Sequence, residues 1–450
     1  MPQTKAKNLF RDCLRYQIDQ NALAPVNGPL AQTTTPFPAS CSGVAAAKYP
    51  YTVDSAWQIT KIASGLRQPR TIVFDSLGNM LVLQATSGVS VHTFGTDGCI
   101  SSAKTIIQNS GLNHGLSLTP DGKTLYASST TQVWSWTYDA TTRTVSNQKT
   151  VVTGISQGIH STRTVVVSPK NPNIIIVSTG SNANWDYAAG SPSTGRACVK
   201  SFDVSKAPAT GYNYNTQGTM VAYGTRNEVA LAFDPNGHAW GAENSGDDFR
   251  RTVNGQSVDV HIDNPAEELN YFGDPESPRT PNWYGYPTCF TVWEPSLFKD
   301  TTSLKTGSQF VVAPNTTFND ASCTGVSNPP RLSFPAHTAP IGSVFDKNAT
   351  NLYITFHGSW DRQPAAGYFV AEVPFTKTAD DLYDPVAAAD SKTGYKTILS
   401  AQTPGSCNSP SLTQSTCWRL AGIGWDNAGE KLFVSSDNQA DGEIFVLKKK

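Results

Sequence analysis

Six stretches of this chain repeat one pattern: a polar or basic residue, an alternating apolar run, a turn rich in Asp, Pro, Asn or Gly, and a second apolar run. They run Pro69 to Gln84, Asn113 to Ser128, His160 to Ser178, Arg226 to Glu243, His337 to Thr355 and Arg419 to Ser435. Alternation with period two is the signature of a strand with one face buried. The turn residues recur at one place, as Asp75 with Gly78, Pro120-Asp121-Gly122, Pro169 with Asn171, Asp234-Pro235-Asn236-Gly237, Asp346 with Asn348, and Asp426 with Gly429. Gly and Asn tolerate positive φ and Pro presets the turn, so each stretch reads as a β-hairpin.

A hairpin cannot bury its apolar face alone, and one repeated along a chain points to stacked units. Further strand-like runs lie between the hairpins, at 89–94, 132–138, 199–204 and 367–373. The early units recur every ~45 residues, close to the period of propeller blades. The expectation is an all-β, six-bladed propeller over 51–450, preceded by an irregular N-terminal extension, 1–50. A Pro-, Asp- and Trp-rich stretch, about 247–335, shows little strand pattern and reads as an insertion lying on one face. The competing architecture is two stacked β-sandwiches.

Composition agrees with strands: 35 Gly, 29 Pro, 10 Trp and only 3 Met in 450 residues. Net charge is −1 and no basic stripe precedes the terminal Lys448-Lys449-Lys450, so a nucleic-acid partner is not expected. No 18-residue apolar run occurs, and residues 1–25 carry Lys5, Lys7 and Arg11 without an apolar core, so no membrane span or signal peptide is read there. Eight cysteines without a C-x-x-C pair suit disulfides rather than zinc. Proximity pairs Cys41 with Cys99, Cys289 with Cys323 and Cys407 with Cys417, leaving Cys13 and Cys198. Sequons at Asn315 and Asn348 fit a secreted, extracellular glycoprotein.

In a propeller the innermost strand of each blade lines a central channel and its first residues open onto one face. Here those residues are Arg70, Asn113 with His114, His160 with Arg163, Arg226 with Asn227, His337, and Arg419. Any one alone reads as a structural His or Arg. Recurrence in every blade makes a cationic, donor-rich ring, which calls for an anionic ligand because unpartnered buried Arg is costly. The stretch from Ala242 to Asp248, with Asp263, Glu267 and Glu268 further on, is rich in oxygen donors and reads as a possible Ca²⁺ site, although not an EF-hand.

Three segments are more specific: Arg226-Asn227 before the 230–237 hairpin, Asn282-Trp-Tyr-Gly-Tyr-Pro287, and His357-Gly-Ser-Trp-Asp-Arg362 followed by Gly367-Tyr368. With the ring, they resemble the soluble sugar dehydrogenases that depend on pyrroloquinoline quinone (PQQ), above all the PQQ domain of the fungal pyranose dehydrogenases. The resemblance implies oxidation of a pyranose or 2-keto-aldose at C1, with hydride passing to C5 of PQQ and electrons to an acceptor cytochrome or haem domain. It implies His160 as base, Arg226 and Asn227 beside the reacting quinone oxygen, Asn113 at the cofactor and Arg419 on a carboxylate. It also implies Arg70, His357, Trp360 and Arg362 in the wall, His114 and Arg163 among the cofactor contacts, and Asn244 and Ser245 carbonyls on Ca²⁺. Bacterial glucose enzymes pair the catalytic His with an Asp; Ile159 precedes His160 here, so its partner must come from elsewhere. His357 stands where those enzymes offer a Lys. Trp283, Tyr284 and Tyr286 read either as sugar-stacking rings or as core of the insertion. The alternatives are a Ca²⁺-dependent propeller lactonase, which would want acidic residues at the channel, and a glycan-binding propeller without catalysis.

Overall fold

The computed structural model describes residues 35–409, 415–439 and 441–450. Each sequence repeat forms the two inner strands of one sheet, and six such sheets surround a channel. Blade 1 is Pro69–Phe74, Met80–Gln84, Gly88–Phe94 and Ile100–Gln108. Blade 2 is Leu112–Leu118, Thr124–Ser129, Val133–Asp139 and Thr144–Thr153, edged by Tyr212–Asn213. Blade 3 is Val165–Val167, Ile174–Thr179, Cys198–Asp203 and Thr219–Tyr223. Blade 4 is Glu228–Phe233, Ala239–Glu243, Glu267–Gly273 and Leu332–Phe334. Blade 5 is Pro340–Phe345, Asn351–Phe356, Phe369–Lys377 and Lys396–Ala401, edged by Tyr51–Val53. Blade 6 takes Leu420–Trp425, Leu432–Ser436 and Gly442–Lys449 from late in the chain and Trp57–Leu66 from early in it.

The hairpin turns work as their residues require. Asp75 Oδ1 accepts the backbone N–H groups of Leu77 and Asn79, and Asp234 Oδ1 those of Asn236 and His238. Asp346 and Asp426 cap their turns in the same way. Gly78, Gly122, Gly237 and Gly429 take the positive φ. The second oxygen of Asp75 accepts the hydroxyl of buried Tyr138, so one turn residue also ties blade 1 to blade 2.

Neighbouring inner strands belong to different sheets and share no ladder. At each junction a side chain reaches a main-chain carbonyl of the neighbouring blade instead. Thr71 Oγ1 donates to the His114 carbonyl, Ser128 Oγ to Arg163, Thr164 Oγ1 to Val229, Asn244 Nδ2 to Pro340, Thr355 Oγ1 to Ala421 and Ser435 Oγ to Pro69. Apolar clusters fill the space between blades, as where Trp240, Phe345 and Phe375 pack edge to face between blades 4 and 5. A cavity of about 250 Å³ remains in the channel, touched by the inner strands of all six blades, with Arg70 and His114 among its lining.

Two expectations need correction. The stretch 247–335 is not one insertion: Glu267–Gly273 and Leu332–Phe334 complete blade 4 by pairing outward from Ala239–Glu243. What is inserted is 247–263 and 274–331, and Phe249, Val260, Phe290 and Phe310 give it a small core of its own. Tyr284 and Tyr286 are about 2% exposed and belong to buried clusters, so they offer no face to a sugar. Of the extension, residues 35–50 are irregular and are held by the Cys41–Cys99 disulfide; the earlier residues, Cys13 included, lie outside the described ones. Cys289–Cys323 and Cys407–Cys417 are also bonded, and Cys198 is free and buried.

The junction bonds carry a prediction. Thr164→Val keeps the shape but leaves the Val229 carbonyl without its donor, so it should cost about 1–3 kcal/mol in chemical denaturation. An unchanged midpoint would show that the junction bond contributes nothing.

Candidate functional site

Because each hairpin is antiparallel, the start of its first strand and the end of its second emerge at the same rim. The ring expected from the first strands is therefore joined by residues from the second: Ser181 in blade 3, Asn244 in blade 4, His357 in blade 5 and Asp437 in blade 6.

On one side of the rim, Asp437 organises four cationic or basic groups. Its carboxylate accepts from Arg70 Nη1 at 2.5 Å and pairs with His357 Nε2 at 2.6 Å. Arg70 Nε reaches Nδ1 of His114 at 3.3 Å. Burial works to raise the Asp437 pKa, but His357 and Arg70 outweigh it and hold the carboxyl well below the usual range. Burial, followed by the charge of Arg419, pushes His357 down to about 4; burial and Arg70 also hold His114 well below the ordinary imidazole range. Burial thus works against charge on both rings, while the guanidinium groups balance Asp437. Buried Arg419 donates Nη1 to the Gly358 carbonyl at 2.9 Å, while its Nε has no partner among the described residues. Gly358 has φ +96°, and a Cβ there would lie 2.2 Å from the Tyr368 ring, whose hydroxyl bonds the Ser359 carbonyl. The His357–Arg362 and Gly367-Tyr368 segments thus form one braced loop. It carries Trp360, 58% exposed, and Arg362, which pairs with Asp263 at 2.9 Å.

On the other side, His160 stands five residues ahead of Val165–Val167, in a loop rather than in the strand expected for it. Its Nδ1 lies 2.9 Å from the Ser181 carbonyl, which can only accept, so Nδ1 carries the proton and Nε2 presents a lone pair. Ser181 is thus the orienting partner that Ile159 does not supply. Burial, then the charge of Arg226, lowers His160 to about 3. Gly180 allows the approach: a Cβ there would lie 2.6 Å from His160 Cβ and 2.5 Å from Asn227 Oδ1.

Arg163 does not face the channel mouth. It is fully buried, and its guanidinium donates to the carbonyls of Thr130, Ser156, His160 and Thr162. The loop preceding this short strand leaves the Ser156, His160 and Thr162 carbonyls without a ladder, and Arg163 satisfies them together with that of Thr130 in blade 2; it positions His160 instead of touching a ligand. Asn113 is similarly committed through Nδ2, to Thr130 Oγ1 and the Ser161 carbonyl, but its buried Oδ1 is unpartnered.

Arg226 meets the backbone oxygens expected at the metal site. Its Nη1 donates to the carbonyls of Asn244 and Ser245, the two oxygens assigned to Ca²⁺, and its Nη2 to Asn184 Oδ1 and Asp247 Oδ2. Asp247, His337 and Asp361 instead each place one ligand atom within 4.8 Å of the others. His337 Nε2 donates to the His261 carbonyl at 2.5 Å, and Nδ1 faces Asp247 at 3.6 Å and Asp361 at 3.7 Å. Burial lowers the His337 pKa, but Asp247 and the His261 carbonyl outweigh it and raise it overall.

Sequence reasoning passed over Asp437, Ser181, Asn184 and Asp361. The first two were findable: they close the second strands of hairpins whose first strands had been read.

An all-β propeller of six blades with a cationic, His-bearing mouth defines the class. The chain belongs to the TrAA12-like family, whose model matches residues 51–450. It is 38% identical over 413 residues to the pyrroloquinoline quinone-dependent pyranose dehydrogenase of Coprinopsis cinerea, covering 91% of this chain and 56% of that protein. The chain thus spans little more than half the length of that curated relative. The holo form of the PQQ domain of the Coprinopsis cinerea enzyme superposes with a TM-score of 0.87 over 91% of this chain and all of that one, at 38% identity. A calcium structure of a Trichoderma reesei AA12 enzyme superposes with a TM-score of 0.81 at 37% identity, again over 91% and all of the two chains.

The His160 environment predicts its titration. Carbethoxylation of His160 by diethyl pyrocarbonate, mapped by mass spectrometry on cofactor-free protein, should keep a constant rate from pH 7 to pH 5, since the ring stays neutral there. A rate falling around the ordinary imidazole value of about 6.5 would contradict the reading.

Proposed function

We propose that this chain is a PQQ-dependent oxidoreductase that oxidises pyranose sugars, or 2-keto-aldoses, at C1 and passes the electrons to an external acceptor such as a cytochrome or haem domain. The observation that carries the reading is one rim holding both an oriented imidazole, with a free Nε2, and a cluster of guanidinium groups that includes an unpartnered buried N–H on Arg419. Family membership and the names of the relatives support it.

The donor set suits the cofactor. PQQ is planar and bears three carboxylates beside a quinone. Arg70, Arg419 and Arg362 offer cationic donors, Arg419 Nε lacks an acceptor, and Asn113 Oδ1 lacks a donor. When bound, PQQ supplies a quinone able to take a hydride equivalent from sugar C1. Oxygens open to Ca²⁺ at this mouth are the carboxylates of Asp247 and Asp361, with the Asn244 and Ser245 carbonyls now held by Arg226.

The residues divide the remaining work. His160 Nε2 accepts the proton of the C1 hydroxyl, and the Ser181 carbonyl keeps the ring in the tautomer that permits this. Arg226 and Asn227 stand beside that imidazole; the N–H groups of Arg226 are all engaged, so Arg226 acts on developing negative charge through its positive charge and Asn227 through its amide. Exposed Trp360 and Ile159 give the mouth apolar surface suited to a sugar ring. Three disulfides and the exposed Asn315 and Asn348 support secretion. The described residues contain no helix long and apolar enough to cross a membrane.

Titration of cofactor-free protein with PQQ and Ca²⁺, followed by dye reduction with a panel of pyranoses, tests the reading. Ca²⁺-dependent binding and sugar-dependent reduction are expected; absence of binding refutes it. His160→Ala should lower kcat by about 10²–10⁴ with PQQ affinity kept. Arg419→Ala should weaken PQQ binding by about tenfold or more, as the loss of a charged hydrogen bond implies.

A further inference from the structure

The two sides of the mouth are joined behind the rim by one carboxylate. Glu267 opens the strand Glu267–Gly273 of blade 4 and is 3% exposed. Its Oε2 accepts the Ser245 backbone N–H at 2.6 Å, and its Oε1 accepts that of Ala339 at 3.0 Å. Ser245 follows the second strand of blade 4, and Ala339 leads into the first strand of blade 5. Expected from sequence among the oxygens for Ca²⁺, Glu267 instead commits both oxygens to main-chain N–H groups of two blades.

Each of these segments leads on to groups of the mouth. Toward the base, the Ser245 carbonyl accepts Arg226 Nη1, and the Arg226 carbonyl accepts the N–H of Ser181, whose own carbonyl orients His160. Toward the cationic cluster, the Ala339 carbonyl accepts the His357 N–H at 2.8 Å and the Thr338 carbonyl accepts the Gly358 N–H at 3.0 Å. The Gly358 carbonyl in turn accepts Arg419. A run of hydrogen bonds and short backbone steps therefore leads from His160 to Arg419 through the two oxygens of Glu267. Asn244 Nδ2 on the Pro340 carbonyl and the Asp248 N–H on Asp361 cross the same gap, but Glu267 takes a main-chain N–H from each side of it. The backbone there needs such a grip. His337 and Ala339 have φ +61° and +56°, a left-handed conformation that a residue with a Cβ keeps only where its surroundings fix it.

We propose that Glu267 is a positioning residue for the oxidation: by gathering the Ser245 and Ala339 N–H groups on one carboxylate, it sets the placement of the base, His160, relative to the anion-binding Arg419. The role rests on the reading of the mouth as a PQQ site. There the sugar hydroxyl must meet His160 while the cofactor is held from the other side, and small displacements between two such groups cost rate more than binding. The residue type is demanding. Two converging N–H groups want two acceptor oxygens, which a carboxylate has; an amide of the same shape turns its NH₂ toward one of the donors. Glu267→Gln thus keeps the volume and breaks one of the two links.

The test has two arms. In cofactor-free protein, hydrogen exchange followed by mass spectrometry should show peptides containing Ser245 or Ala339 exchanging faster in Glu267→Gln, on the order of tenfold, as loss of a charged acceptor implies. With PQQ and Ca²⁺ added, the variant should lose about 10–100-fold in kcat with sugar KM little changed. Tyr138→Phe, which removes a buried hydroxyl from Asp75 at the turn end of blade 1, controls for lost stability and should keep kcat. If Glu267→Gln does not fold, Glu267→Asp, which retains both oxygens but draws them back by one methylene, should show the same split. Full kcat despite faster exchange overturns the proposal, leaving Glu267 a brace of the fold alone. Unchanged exchange also overturns it, as does an equal loss of kcat in Tyr138→Phe. Wild-type protein that binds no PQQ overturns the functional reading and this role with it, and the exchange arm then still shows whether Glu267 joins the two segments.

Discussion

The bonds between inner strands of neighbouring blades are the constraint on which the rest depends. The six sheets do not pair with each other through a ladder. Thr71, Ser128, Thr164, Asn244, Thr355 and Ser435 each cross one junction with a single short side chain that ends on a main-chain carbonyl. Each bond is modest, about 1 kcal/mol net. Their geometric effect is larger: they fix the spacing of the rim residues, which come from six separate stretches of chain. Asn244 belongs to both systems, since it spans a junction with Nδ2 while its own carbonyl meets Arg226.

The mouth shows how a cationic site survives without its ligand. Arg163 and much of Arg226 are satisfied by carbonyls that irregular backbone leaves over. Arg70 relies on the single carboxylate of Asp437, and burial works against charge on His114 and His357. Arg419 is the exception, with Nε unpartnered. Electrostatic demand for an anion is therefore localised on particular atoms and is not spread around the ring.

The hairpins were legible because period-two alternation and Asp–Gly turns are local signals, and the six repeats became the inner strands of six blades. The outer strands of blade 4 were not, because Glu267–Gly273 has acidic residues on a buried face and Leu332–Phe334 is only three residues long. The ring positions were legible as positions, but not the direction of each side chain. Arg163 turns inward because its own loop lacks hydrogen-bond partners, a need invisible until the strand is seen to begin at Val165. Carbonyls such as those of Asn244 and Ser245 have no sequence signature, so whether a cation or a guanidinium takes them cannot be read from residue types. Asp437 was missed because the ring was read from first-strand entrances, although antiparallel pairing brings second-strand ends to the same rim.

Blade 6 is built from Trp57–Leu66 paired with Gly442–Lys449, whose strands lie nearly the whole chain apart. A ribosome makes the outer strand of that blade first and the strand it must grip last. Through most of synthesis Trp57–Leu66 has no partner, and its alternating apolar side chains wait for blades 1 to 5 to assemble beside it. The ring thus cannot be sealed until residues 442–449 have been made, and a nascent chain stalled before residue 442 carries an open sheet edge on which chaperones or other chains can act.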